Sequence, residues 1–338
     1  MTKVSAKSPT RVDLAGGTLD LWPLYTFLGR ATTLNVAIDI FTYAEITQRS
    51  DRQVTLIIDD MSAKKTYASV EECLADEDGS FRLLREHVRY WKPPFGFELR
   101  TRSESPVGGG LGGSSSLSVT LLGAFSRWLD RKLTVDQAVT AASNIEAKVL
   151  HVPTGTQDYY PPLLGGLNLL HYSADGCKPQ KFVSKACFAE IEKHFILVYT
   201  GKPHQSGLNN WEVLKDTIEK RGNAMAALGE LKVVADEMVR VLNAGHWSAI
   251  KDLLNEEYNA RVKLSSVFTS PEIERLKRVS LEAGAEAVKI CGAGGGGCVL
   301  VWSPPEVREG VIKQCRNAGF QVLPARPIEQ GLAVEVAG

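Results

Sequence analysis

The first hundred residues read mostly as strands. The runs TLNVAI (33–38), FTYAEITQ (41–48), QVTLIID (53–59) and FGFELRTR (95–102) are rich in β-branched and aromatic residues and predict strands. One helical stretch, FRLLREHVRYW (81–91), interrupts them. After residue 113 the periodicity changes: Leu117, Leu121, Leu122, Phe125 and Leu129 recur at helical spacing. A second helix follows at once. Thr134 with Gln137 makes a capping box, and Ala138, Ala141, Ala142, Ile145 and Val149 form its apolar stripe. A Gly/Pro-rich loop, HVPTGTQDYYPPLLGG (151–166), leads to the strands LNLLHY and HFILVYT.

From about residue 205 the pattern is helical, over 211–227, 230–243 and 247–262. Ser270-Pro271 predicts the start of a helix over 271–283, stopped by Gly284. The strand EAVKI then runs through GAGGGG into the strand CVLVW. Ser303-Pro304 predicts a helix over 304–318, stopped by Gly319, before the strands FQVLPA and AVEV. This closing order suits a split βαβ sheet with helices on one face. The fold class is therefore α+β in two domains, with a seam near 165–205 and a division into 1–190 and 191–338.

Composition narrows the class. The chain has 338 residues, 44% hydrophobic and 23% charged, as in soluble globular proteins. Lys+Arg and Asp+Glu balance at 39 each, so bulk charge gives no argument for a nucleic-acid partner. MTKVSAKSPTRVD contains no apolar stretch of signal-peptide type, and no apolar run reaches membrane-spanning length. A cytoplasmic protein without a membrane partner is expected. The six cysteines form no CxxC pair and suit reduced thiols; the six histidines form no HExxH, which argues against a zinc hydrolase.

The chemistry centres on PVGGGLGGSSS, Pro106 to Ser116. A flexible linker is excluded by its position between a strand and a strong helix. Gly108-x-Gly110-x-x-Gly113 matches a dinucleotide fingerprint literally, but Asp130, about twenty residues on, ends a helix rather than a strand. The second literal match, Gly292-x-Gly294-x-x-Gly297, runs strand to strand. What remains is a phosphate cradle: glycines bring backbone N–H groups close to phosphate oxygens, and the following helix adds its positive end. No lysine follows the last glycine, so this is not a Walker A loop, and no VAIK, HRD or DFG marks a protein kinase. Without lysine, phosphate charge needs another neutraliser, such as Mg2+ held partly by serine hydroxyls.

These residues resemble the GHMP kinases (galactokinase, homoserine kinase, mevalonate kinase, phosphomevalonate kinase). PVGGGLGGSSS resembles their second motif, SPTRVDLAGGTLDLWPLY (8–25) their first and KICGAGGGGC (289–298) their third, all in family order. The resemblance covers nearly the whole chain. It implies an N-terminal domain like domain 2 of ribosomal protein S5, a ferredoxin-like C-terminal domain, and ATP and substrate between them. The A-G-G form of the first motif, with Asp20 after it, looks like the heptose-phosphate kinases and fucokinases. TGTQDYY resembles the loop of the heptose kinases, with Thr156 in place of their lysine.

Site roles follow from the resemblance. Pro106, Gly108, Gly109, Gly110, Leu111, Gly112, Gly113, Ser114, Ser115 and Ser116 would wrap the ATP phosphates. Ser114 and Glu146 would hold Mg2+, and the extra glycine before the serines leaves Ser115 as an alternative to Ser114. Asp158 would be the catalytic carboxylate and Arg11 its basic partner. Gly17, Asp20, Tyr25, Asp158, Tyr159, Gly294 and Gly295 would meet the substrate, and the third motif would pack on the phosphate loop. Each has a plainer reading: a solvated helix carboxylate for Glu146, a turn residue for Asp158, a surface arginine for Arg11, a loop cap for Asp20 and a tight hairpin for the third motif. The expected function is ATP- and Mg2+-dependent phosphorylation of a sugar or sugar phosphate. A mevalonate-type kinase and a non-catalytic ligand-binding protein stay open. The expected partner is that small molecule, with a homodimer left open.

Overall fold

The computed structural model describes residues 2–182, 184–203, 206–292 and 294–337. Among the described residues twelve strands form two sheets. The first holds β1 (Lys3–Ala15), β2 (Ala31–Gln48), β3 (Val54–Ile58), β4 (Ala63–Tyr67), β5 (Phe97–Ser103), β6 (Leu167–Ser173) and β7 (Gly176–Phe182). The second holds β8 (Phe195–Tyr199), β9 (Ala287–Ile290), β10 (Cys298–Trp302) and β11 (Gln321–Leu323). The last strand, β12 (Ala333–Ala337), returns to the first sheet and pairs antiparallel with β1. The chain thus changes sheets between β7 and β8 and crosses back after β11.

β1 escaped the sequence reading because it is polar and contains Pro9. The β1–β2 register slips between Pro9 and Thr10, where Asp39 and Ile40 of β2 drop out of the ladder and the Thr10 hydroxyl donates to the Ile40 carbonyl at 2.9 Å. That irregularity lets 33–38 and 41–48 run as the single strand β2 rather than as two.

The helices Gly113–Trp128 and Val135–Leu150 stand where their apolar stripes predict, and both hydrogen bonds of the Thr134–Gln137 capping box are present. The first of these helices meets β1 and β2 through hydroxyls as well as through carbon. Ser8, Thr42, Ser116 and Thr120 form a buried cluster in which Ser116 Oγ also donates to the Pro9 carbonyl at 2.9 Å.

The second sheet has the order β11-β8-β10-β9 with every pair antiparallel, the ferredoxin-like arrangement. Its side chains alternate. Ile196 and Val198 of β8 share a core with Ile273, Leu276 and Val311 of the helices Pro271–Glu282 and Arg308–Asn317. Phe195 and Leu197 face the other way, into a core with Met238 and Leu254 of the helices Ala224–Ala244 and Ile250–Leu264 and with Val12 and Leu34 of the first sheet. Both faces are therefore covered, where one had been expected. Ser270 caps its helix by accepting from the Ile273 N–H. Ser303 caps nothing: its hydroxyl donates to the Pro304 carbonyl, and the helix begins only at Arg308. The helical region after 205 divides as Ser206–Ile218, Ala224–Ala244 and Ile250–Leu264. Among the described residues no helix is long and apolar enough to cross a membrane.

Candidate active site

A cavity of about 680 Å³ opens between the glycine run, the first motif and the loop after Leu150. One end is apolar, walled by Ile58, Met61, Leu83, Leu150 and Val152. The other is polar and holds Asp13, Asp20, Gln157, Asp158, Asn210 and Arg261. Pro106, Val107, Gly108, Gly109, Gly110, Gly112 and Gly113 of the glycine run also line the cavity.

Gly108, Gly110 and Gly112 take φ of +63°, +70° and +68°, with non-left-handed residues between. This alternation is open to glycine at little cost and has the backbone pattern of an anion-binding nest, although the Gly109 N–H is taken by the Pro106 carbonyl at 2.8 Å. The helix Gly113–Trp128 starts directly after it with no side-chain cap, so its first N–H groups are available to a ligand. Leu111 and Ser116 do not join this wall. Leu111 is buried in the core shared by the two sheets, and its carbonyl accepts from the Arg11 N–H at 3.0 Å. Ser116 is turned into the hydroxyl cluster, and its N–H is already bonded to the Gly112 carbonyl.

Ser114 is exposed at the helix start, while Ser115 is buried and donates to Glu146 at 2.8 Å. Tyr159 donates to the same carboxylate oxygen at 2.6 Å. Burial raises the Glu146 pKa, against hydrogen bonds from Tyr159, Ser114 and Ser115 that favour the charged form. Tyr159 thus supports Glu146 rather than the polar end. No group of three or more His, Cys, Asp or Glu side chains suited to a metal occurs among the described residues. One carboxylate with flanking serine hydroxyls fits Mg2+, which keeps waters and takes phosphate oxygens instead of an all-protein cage.

Arg11, on β1, reaches Asp158 with two bonds, Nε to Oδ1 at 2.8 Å and Nη2 to Oδ2 at 2.7 Å. Its Nη1 donates to the carbonyls of Gly110 and Cys291, each at 2.7 Å. Burial works against the Arg11 charge, but Asp158 outweighs it and the pKa rises. The plainer reading, a surface arginine, does not hold: Arg11 is buried at the junction of all three motifs. The third motif also touches the loop directly, through the Cys298 N–H on the Gly109 carbonyl at 2.7 Å.

Asp20 is buried and accepts from the Gln157 N–H at 3.0 Å. Gly155 makes this approach feasible, because a Cβ there would overlap the Asp20 carboxylate. Burial, and then the charge of Asp158, push Asp20 up to about 7. Gly17 lines the cavity under a similar constraint, with Asp13 and Arg261 where its Cβ would project. Tyr25 lies outside the lining, its ring 5.4 Å from that of Tyr172. Gly294 and Gly295 are also off the wall: Gly294 abuts the Phe268 backbone, and Gly292 lines the cavity instead.

A buried network of four charges was not foreseen. Lys289 Nζ meets Asp13 Oδ2 at 3.1 Å and Glu257 Oε2 at 3.6 Å. Arg261 bonds Glu257, reaches Asp13 at 3.5 Å, and donates to the Gly17 carbonyl at 3.1 Å and to Thr18 Oγ1 at 3.2 Å. It therefore fixes the turn of the first motif. The local signals were modest: Glu257 and Arg261 four apart on one helix, and a lysine within the otherwise apolar strand AVKI.

Residues 78–166 match the family model for the GHMP kinases N terminal domain, and residues 238–321 that for GHMP kinases C terminal. The chain is similar to the D-glycero-alpha-D-manno-heptose 7-phosphate kinase of Campylobacter jejuni, 26% identical over 94% of each chain. It is 25% identical to the mevalonate kinase of Thermococcus onnurineus, over 82% of this chain and 80% of that one. In fold it resembles a D-glycero-D-manno-heptose 1-phosphate kinase from Bacteriodes thetaiotaomicron, with TM-score 0.80, 24% identity and 98% of both chains covered.

Proposed function

The chain belongs to the GHMP kinase family, and from that membership we propose that it transfers the γ-phosphoryl group of ATP to a hydroxyl of a sugar or sugar phosphate. The observation that carries this reading is the Arg11–Asp158 pair, held at the wall of a cavity that also contains a glycine nest and a helix N-terminus. The base of the nucleotide occupies the apolar end and its phosphates lie along Gly108–Gly113, Ser114 and Ser115. Glu146, Ser114 and Ser115 would hold Mg2+, which would supply charge neutralisation on the phosphates.

Phosphoryl transfer needs an oriented hydroxyl and an in-line approach more than it needs covalent help. A lone pair of the acceptor oxygen forms the new O–P bond. The bond from the γ-phosphorus to the bridging oxygen breaks, and its electron pair leaves on ADP. Asp158 orients the hydroxyl and takes its proton. Arg11 fixes the plane of that carboxylate and adds positive charge beside the transferring group.

ADP release measured across a panel of sugars, sugar phosphates and mevalonate tests the reading. Turnover with a sugar-type acceptor supports it; no ADP release with any acceptor, despite saturable ATP binding, overturns it. Similarity to the Thermococcus mevalonate kinase favours a second reading, a mevalonate-type kinase, which turnover with mevalonate alone would select.

A further inference from the structure

The polar end of the cavity is rich in carboxylates and poor in usable cations. Among the described residues the whole lining contains five acidic side chains, Asp13, Asp20, Asp60, Glu146 and Asp158, against two cations, Arg11 and Arg261. Neither cation is open to an incoming anion. Arg11 is engaged by Asp158 and by the carbonyls of Gly110 and Cys291. Arg261 is 1% exposed and held by Glu257, Asp13, Thr18 and the Gly17 carbonyl. Lys289, behind them, is fully buried and bonded to Asp13 and the Ile290 carbonyl.

The same end holds acceptor atoms that lack donors. Asp13 Oδ1 and Gln157 Oε1 are buried with no hydrogen-bond partner, and both residues line the cavity, at 2% and 7% exposure. Leaving a buried acceptor unpaired is costly, so the complement of this wall is a molecule that brings O–H donors. A phosphate monoester or a carboxylate brings negative charge and few or no donors, and among the described residues each cation at this end is already paired with a carboxylate.

We propose that the acceptor is an uncharged polyhydroxylated sugar, that Asp13, Asp20 and Gln157 recognise its hydroxyls as donors, and that a phosphate or carboxylate on the acceptor is rejected at this end. This rests on the kinase reading above and makes Asp13 and Gln157 specificity-determining residues.

The test uses the full chain with ATP and Mg2+, measuring ADP release for aldohexoses and aldoheptoses beside their own monophosphates and mevalonate. The expected result is a kcat/KM about 100-fold or more higher for the neutral sugar of the best pair. Gln157→Leu should raise the KM for that sugar about tenfold, with a smaller effect on kcat and none on the KM for ATP. Asp13→Asn should do the same where melting curves show that it folds; Gln157→Leu carries the test where it does not. Preference for the phosphorylated sugar, or an unchanged sugar KM in Gln157→Leu, overturns this inference and leaves the sugar-kinase reading standing; preference for mevalonate overturns this inference and favours the mevalonate-type reading. Absence of ADP release with every acceptor overturns both.

Discussion

Arg11 and Asp158 meet fork to fork, with two parallel hydrogen bonds of 2.8 and 2.7 Å. The third arm of the same guanidinium binds the carbonyls of Gly110 and Cys291. One strand residue thus joins the glycine run, the third motif and the catalytic loop, and the carboxylate cannot rotate without breaking a bidentate contact.

Asp158→Asn should lower kcat by about 10³-fold, with the affinity for a non-hydrolysable ATP analogue nearly unchanged. Asp158 keeps a side-chain exposure of 26%, so solvent screens the pair and the expected loss of stability is only about 1–2 kcal/mol. Steady-state kinetics and urea melts measure the two effects separately. A kcat near that of the parent removes Asp158 from the reaction.

Ser115 and Ser116 are adjacent and should behave differently. Ser115→Ala removes a donor to Glu146 and should raise the Mg2+ concentration for half-maximal rate several-fold, with little change in melting temperature. Ser116→Ala should leave the Mg2+ and ATP dependence alone and cost about 1–2 kcal/mol through the hydroxyl cluster. Identical Mg2+ titrations for both variants would contradict the assignment.

Asp20 makes folding pH-dependent. Its folded pKa of about 7 lies above its ordinary carboxylate value, so the folded chain keeps a proton that the unfolded chain releases. The contribution to stability is therefore fully favourable at low pH and is lost as pH rises from about 4 through 7. Asp20→Asn should be more stable than the parent at pH 8, by a few kcal/mol at most, and should lose the advantage near pH 4. Melts of both proteins across that range give the difference curve, and a flat curve refutes the burial argument.

Lys289→Met should cost about 3–5 kcal/mol, because it leaves Asp13 and Glu257 with one cation between them in a dry interior. Adding Glu257→Gln should recover part of that loss. Denaturant melts of the single and double variants decide it; additive losses would mean that the two residues are not coupled.

Local patterns were legible where the local sequence decides the structure. The helix after the glycine run, the Thr134–Gln137 box and the Ser270 cap depend on spacing within a few residues. β1 was not legible, because its burial comes from neighbours on both faces while its own composition is polar. The Ser303-Pro304 signal failed because a turn intervenes before Arg308. At the site, loop motifs drew attention to Arg11, Glu146 and Asp158. Arg261 carries no motif, and Asp13 and Gln157 lie within quoted motifs without being singled out there; the three become neighbours only when β1, the 157–159 turn and the Ile250–Leu264 helix converge. Ser116 sits inside a motif, yet helical geometry turns it 100° away from Ser115, and its hydroxyl faces the sheet.

The return of β12 to pair with β1 limits how the molecule can move. The two sheets are connected by chain on two sides, and a shared apolar core containing Val12, Leu197 and Leu254 fills the space between them. A single-tethered pair of domains can swing open like a jaw. Here the covalent crossings and the common core oppose such a swing, and the motion that remains is shear, a small sliding of packed helices over the sheets. Entry and release of ligand at the cavity would then depend on loops at its rim rather than on separation of the halves.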